Sequence, residues 1–123
     1  MPASAPLTLS RSQRIKQGRD FARLKSKGLR VVHGCLIVNW LELPADRPSR
    51  MAVITTRKLG NAVVRSRCRR LLRECFRLHQ HDLREPAELI LVARASLTGK
   101  DFAGVEKDYL TALRQGKLLK TTA

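Results

Sequence analysis

The chain has 123 residues, a length typical of one domain, and 43% of them are hydrophobic, which favours a folded protein. Its 25 lysines and arginines outnumber the 10 acidic residues, so the net charge is +15. Such an excess favours a polyanionic partner. Nucleic acid is the first candidate, because neutralising phosphates releases condensed counterions, and an anionic membrane surface is the second.

Targeting signals and cysteine spacing narrow the class further. Residues 1–10 lack a charged start followed by a long apolar run, and no apolar stretch approaches the ~18 residues of a membrane span. Neither a signal peptide nor a transmembrane helix is predicted, and a cytoplasmic location is expected. Cys35, Cys68 and Cys75 have no paired spacing, which argues against a disulfide framework or a zinc site. We expect them in the core, with a redox or metal role as the alternative.

The first third of the chain predicts an arm, a short helix and extended structure. Residues 1–13 are typical of a flexible arm. A short helix is predicted over residues 18–27, ended by Gly28. Residues 29–43 are rich in Val, Ile and Leu and predict two extended pieces, or one bulged strand, interrupted at Gly34.

The remaining elements alternate between strands and helices. Strands are predicted over residues 51–56 and 88–93, where β-branched and apolar residues cluster. The clearest helix runs from Asn61, a plausible N-cap, to about Gln80, and a second is predicted over residues 101–115. The apolar stripe of the first helix contains Val64, Cys68, Leu71, Leu72, Cys75 and Phe76.

This order, αβββαβα, predicts an α+β fold, a small two-layer α–β sandwich with a mixed sheet of about four strands and a basic central helix. The strand–helix–strand unit over residues 51–93 implies one parallel pair. We expect a single RNA-binding domain over residues 14–116, after the arm of residues 1–13. Residues 117–123 are expected to form a frayed tail.

Positive charge is concentrated in two segments, residues 1–30 and 57–77, each with eight basic residues and one acidic residue. In the second segment, arginines recur at four-residue steps along one side of the predicted helix, at Arg65, Arg69, Arg73 and Arg77, and Arg67 and Arg70 widen the row. Like charges at this spacing repel, so their retention favours a partner with planar oxyanions, which guanidinium groups bind through two hydrogen bonds. A solvated basic face and a membrane-surface helix are the alternatives.

The stretch Arg57-Lys58-Leu59-Gly60-Asn61-Ala62-Val63-Val64-Arg65-Ser66-Arg67, set between a strand and a basic helix, resembles the ribonuclease P protein family. That family's signature has a lysine-rich turn, Gly-Asn-Ala-Val, and Arg-Asn-Arg at the start of an arginine-rich helix. Arg19-Asp20-Phe21 is similar to its first-helix motif, and the register covers roughly residues 14 to 115.

The resemblance implies an α–β sandwich with a left-handed strand–helix–strand crossover. It implies that the chain is the protein subunit of ribonuclease P, that it binds the RNA subunit and the 5′ leader of precursor tRNA, and that one protein serves each RNA. The RNA performs the cleavage with Mg²⁺, and no cofactor, small-molecule substrate or membrane is expected for the protein. A ribosomal or other structural RNA-binding protein is the main alternative, and a DNA-binding module is a weaker one.

The resemblance also implies roles for particular residues. Those expected to bind the RNA subunit are Arg65, Ser66, Arg67, Arg69, Arg70 and Arg73, with Arg57 and Lys58 as the preceding basic pair. The expected leader cleft contains Phe21, Lys25 and Asn39. Ser66 stands where the family usually has Asn, and Lys25 and Asn39 stand where many members have aromatic residues. Fewer stacking rings predict leader binding that is weaker or depends more on charge, and core packing is the alternative role of Phe21.

No catalytic residue or metal site is expected in the polypeptide. A protein nuclease needs positioned acids, bases or metal ligands. His79 and His81 lie two residues apart, a spacing that separates them on a helix. The remaining histidine, His33, is distant in sequence from both, and the carboxylates are scattered along the chain.

Overall fold

The computed structural model describes residues 28–44 and 46–120. The predicted arm, the predicted helix over residues 18–27 and residues 121–123 lie outside the described residues. The helices and strands are β1 (Leu29–His33), β2 (Leu36–Glu42), β3 (Arg50–Ile54), α1 (Ala62–His79), β4 (Ala87–Ala93) and α2 (Phe102–Gln115). Short 3₁₀ turns occupy Arg57–Leu59, Gln80–Asp82 and Ala95–Gly99.

The four strands form one mixed sheet in the order β1-β2-β4-β3. β2 pairs antiparallel with both β1 and β4, whereas β3 and β4 are parallel neighbours joined through α1. The predicted α+β class, the four-stranded mixed sheet and the parallel pair are therefore confirmed. The handedness of the β3–α1–β4 connection stays a prediction from the family resemblance.

A tight turn at Gly34 separates β1 from β2, so the apolar stretch forms two strands and not one bulged strand. Gly34 has a φ of +56°, and a Cβ there would clash with a carboxylate oxygen of Asp108 on α2. The same carboxylate accepts a hydrogen bond from the backbone N–H of Cys35, at 3.0 Å. The turn needs glycine both for its backbone conformation and for the close approach of α2.

The core lies between α1, α2 and one face of the sheet. Trp40 of β2, Phe76 of α1 and Tyr109 of α2 are its aromatic members, surrounded by aliphatic side chains from all four strands. All three cysteines are free and buried here, as predicted. Burial raises the pKa of the Cys35 and Cys75 thiols to about 12, which keeps them protonated and unreactive at neutral pH.

The start of the predicted tail is packed against the domain, so the expectation of fraying is wrong for residues 117–120. Leu118 is buried, and its carbonyl accepts a hydrogen bond from the backbone N–H of Arg84. Leu119 forms a β-bridge with Leu83. A segment this short has no periodicity that reveals such packing in the sequence, because its partners lie more than 30 residues earlier.

The end of α1 is joined to α2 through His79. Its Nδ1 lies 2.8 Å from a carboxylate oxygen of Asp82, and its Nε2 lies 2.7 Å from one of Glu106. Burial alone would lower the pKa of His79, but the hydrogen bonds and charges of Glu106 and Asp82 outweigh it, and the pKa is raised above its ordinary value. His79 therefore has a structural setting at the helix end.

Candidate RNA-binding surface

The basic segment begins with a turn that exposes its first two charges. Leu59 is buried and anchors the 3₁₀ turn, while Arg57 and Lys58 are exposed. Gly60, with a φ of +142°, turns the chain into α1. Asn61 caps the helix, as predicted, because its side-chain oxygen accepts a hydrogen bond from the N–H of Val64 at 3.0 Å. The basic pair thus stands immediately before the helix N-terminus.

The apolar stripe of α1 determines where its arginines can point. Cys68, Leu72, Cys75 and Phe76 are buried against the core. Successive helix residues are about 100° apart, so Ser66 and Arg70 occupy the outer face, and both are exposed. Six of the predicted residues and the preceding basic pair form what we call the basic cluster. Its members are Arg57, Lys58, Arg65, Ser66, Arg67, Arg69, Arg70 and Arg73.

Arg69 lies on the flank of α1 that faces β3. Its Nη1 donates to Oγ1 of Thr55, just after β3, at 2.8 Å. Its Nη2 donates to Oγ of Ser66, one turn earlier on the helix, at 3.1 Å. Both partners are uncharged hydroxyl groups, so the positive charge of Arg69 stays available to a ligand.

Arg67 lies on the opposite flank, and the prediction that it widens the row of arginines is wrong. Its Nη2 donates to the backbone carbonyl of Lys100, just before α2, at 2.7 Å. The reason is helical geometry: Arg67 and Arg69 are two residues apart, or about 200° around the axis. Arg65 and Arg67 are separated in the same way, although they are neighbours in the motif.

The row of arginines also differs along its length. At its end, the guanidinium of Arg77 donates two hydrogen bonds to the carboxylate of Glu74, both at 2.7 Å. These bonds lower the pKa of Glu74 and raise that of Arg77. At its start, Nε of Arg65 is buried and has no hydrogen-bond partner among the described residues. A buried N–H of this kind is a donor in need of an acceptor.

Asn39 lies on the other face of the sheet, away from α1 and α2. We call this the second face; in the described strands it consists of Arg30, Val32, Ile37, Asn39, Leu41, Arg50, Ala52, Ile54, Glu88, Ile90 and Val92. Trp40 faces the core, as the alternation of strand residues predicts. Asn39 stands between Arg30 on β1 and Ile90 on β4. Phe21 and Lys25 lie outside the described residues, so their expected place beside Asn39 stays a prediction.

Comparison with known proteins decides the family. The family model for ribonuclease P matches residues 9–117. The ribonuclease P protein component of Syntrophomonas wolfei is 33% identical over 115 residues, covering 94% of this chain and 96% of the relative. That of Gluconacetobacter diazotrophicus is 34% identical over 108 residues, covering 85% of this chain and 91% of the relative.

The chain belongs to the ribonuclease P protein family.

The fold agrees with this assignment. The solved structure of the Staphylococcus aureus ribonuclease P protein is similar with a TM-score of 0.78 at 26% identity, covering 88% of this chain and 98% of that chain. As a member of the family, the chain serves as a protein subunit of ribonuclease P, binds RNA and takes part in tRNA processing. These matches confirm the predicted family and function.

The sequence does not predict the contacts that Thr55 and Lys100 make with the arginines of α1. The local pattern marks Thr55 only as a β-branched strand residue, and it gives Lys100 no role. Neither has a local signal: Thr55 is 14 residues from Arg69, and Lys100 is 33 residues from Arg67. Both contacts depend on where α1 lies relative to the sheet and α2.

Residues 28–44 and 46–120 contain neither a metal-binding group nor a membrane span. In these ranges, no group of three or more His, Cys, Asp or Glu side chains is arranged to hold a metal ion. No helix there is long and apolar enough to cross a membrane.

Proposed function

We propose that the basic cluster docks on the catalytic RNA subunit of ribonuclease P, with one protein per RNA. The observation that supports this most strongly is the hydrogen bonding of Arg67 and Arg69. Each has an uncharged oxygen as its partner, a carbonyl or a hydroxyl, so neither charge is compensated by these bonds. Arg57, Lys58 and Arg70 of the same basic segment are exposed. A phosphate-rich partner would neutralise all five charges.

The unpartnered Nε of Arg65 supports the same proposal. Its N–H is buried at the start of the helix without an acceptor among the described residues, and a phosphate oxygen could accept its hydrogen bond once the side chain turns outward. Helix N-termini favour anions in general, because their unpaired N–H groups and the helix dipole point outward. Both the side chains and the backbone at this end of α1 therefore favour a negatively charged ligand.

We further propose that the second face of the sheet, with Asn39 near its centre, receives the 5′ leader of precursor tRNA. Its described strand residues contain no aromatic ring, so binding there would depend on hydrogen bonds, charge and aliphatic contact. Phe21, if it joins this face, would supply the ring on which a base stacks.

We assign the cleavage reaction and its Mg²⁺ to the RNA subunit. Among the described residues, His79 is held between two carboxylates at the far end of α1 from the basic cluster. Both of its ring nitrogens already lie within hydrogen-bond distance of these carboxylates, which is the setting of a structural histidine. The protein's contribution would then be to bind and orient two RNAs, which raises the rate by positioning alone.

Reconstitution tests this function. Cleavage of precursor tRNA by a bacterial ribonuclease P RNA at low Mg²⁺ should be stimulated by the protein. Arg70→Ala should reduce the stimulation, whereas Arg114→Ala, an equally exposed arginine on α2, should not. Absence of stimulation, together with tight binding to ribosomal RNA, would favour the alternative of a ribosomal or other structural RNA-binding protein.

A further inference from the structure

The guanidinium of Arg69 donates hydrogen bonds to two side-chain hydroxyls from different elements. Thr55 follows β3, and Ser66 lies one turn before Arg69 on α1. Between them they accept from both Nη atoms, at 2.8 Å and 3.1 Å. The guanidinium is therefore oriented by the tertiary structure as well as by its own helix.

Arg77 shows what a different set of partners does. Its Nε and Nη2 both donate to Glu74 at 2.7 Å, and the carboxylate neutralises the charge that it orients. Hydroxyls orient a guanidinium without neutralising it, because they accept a hydrogen bond and contribute no charge. Arg69 is thus both held in place and still cationic.

We infer that Thr55 and Ser66 are positioning residues, which hold the guanidinium of Arg69 in the orientation that binds a phosphate of the RNA. The inference rests on the proposed docking of the basic cluster. A guanidinium has five N–H donors, and the two described bonds use two of them. A long side chain that is ordered before binding loses less conformational entropy on binding, which increases affinity without any new contact.

The inference also accounts for Ser66. Its hydroxyl stands where the family resemblance implies an amide, and here it accepts from Arg69. Thr55 supplies the second acceptor from outside the helix.

The test measures affinity for the ribonuclease P RNA across a range of salt concentrations. Thr55→Val replaces the hydroxyl by a methyl group of similar shape, and Thr55→Ser keeps the hydroxyl. Thr55→Val and Ser66→Ala should each weaken binding about three- to tenfold, the effect expected when one long side chain must be ordered on binding. Thr55→Ser should restore affinity close to that of the natural protein.

The salt dependence separates positioning from charge. Thr55→Val leaves every positive charge in place, so the slope of log affinity against log salt should not change. Arg69→Gln removes one phosphate contact and should make the slope less steep by about 0.7 to 0.9. In the Arg69→Gln background, Thr55→Val should have no further effect on affinity.

Three outcomes overturn the inference. The first is a loss on Thr55→Val that persists in the Arg69→Gln background, which would mean that Thr55 acts through something other than Arg69. The second is a loss that follows the melting temperature of each variant, which would mean a role in folding only. The third is a normal affinity for Thr55→Val while Arg69→Gln binds weakly, in which case docking stands and positioning fails. If Arg69→Gln also binds normally, the docking of Arg69 fails as well.

Discussion

Both ends of α1 carry arginines, and these arginines have different partners. At the start, Arg67 and Arg69 donate to uncharged oxygens, and these bonds leave their charges uncompensated. At the end, Arg77 is paired with Glu74, and His79 lies between Asp82 and Glu106. The difference teaches that a row of basic residues on one helix is not one surface: the described partners of the arginines at the start are uncharged, whereas the end is held by carboxylates.

The largest expected effect is at the start of the helix. Replacing both Arg65 and Arg67 by Ala should weaken binding to the RNA subunit by on the order of 2–4 kcal/mol, since a hydrogen bond to a charged group contributes ~1.5–3 kcal/mol and exposure reduces this. A binding titration measures the change. Unchanged affinity would show that these two arginines do not bind the RNA subunit.

The two single variants should behave differently in a thermal melt. Arg67 is hydrogen-bonded to the carbonyl of Lys100, so Arg67→Ala should also cost about 0.5–1.5 kcal/mol of folding stability. Arg65→Ala should leave the melting temperature nearly unchanged, because its Nε has no partner among the described residues. Equal melting temperatures would mean that the Lys100 contact contributes nothing.

Binding of the leader at the second face of the sheet should not depend on either end of α1. Phe21→Leu should weaken binding of precursor tRNA by about 1–3 kcal/mol and leave mature tRNA unaffected, because it removes a stacking ring. Asn39→Tyr, and Lys25→Phe if it joins the same face, should tighten leader binding. The ratio of precursor to mature affinity measures both changes. A Phe21→Leu variant that loses stability and binds both RNAs less well would instead place Phe21 in the core.

Substitutions at the end of α1 should lower the stability of the protein without changing its affinity for RNA. His79→Gln should lower the free energy of unfolding by about 1–2 kcal/mol, since it disrupts two hydrogen bonds to carboxylates. Affinity for the RNA subunit, measured well below the melting temperature, should stay within twofold of the natural protein. A loss of affinity equal to that of Arg70→Ala would contradict the division of α1 into two ends.

The smallest expected effect is the pH dependence of the stability that His79 contributes through its contacts with Asp82 and Glu106. The pKa of His79 is raised in the folded state above its ordinary value of 6.5. Its stabilising contribution is therefore fully present below about pH 6.5 and is lost as the pH rises through the folded-state pKa. Chemical unfolding at several pH values should show this decline in the natural protein and not in His79→Gln. A decline of equal size in both proteins would assign it to other groups.

Local sequence patterns are sufficient to predict the helices and strands and to indicate the family. The period of Cys68, Leu72 and Cys75 determines that α1 is an amphipathic helix, and Asn61 determines where it begins. The segment from Gly60 to Arg67 is specific enough to indicate the family by its residues alone. These features depend on neighbours within one or two turns, so the sequence displays them directly.

The sequence by itself determined the α+β class, the position of the basic helix, and the chemistry of its ligand through charge and residue type. Only the tertiary structure decided which arginines are paired and with what. Thr55 meets Arg69, Lys100 meets Arg67, and residues 117–120 pack beside residues 82–84 because the sheet and two helices bring them together. Such contacts join residues 14 to more than 30 positions apart, and no periodicity records them, since their geometry exists only after the core has formed.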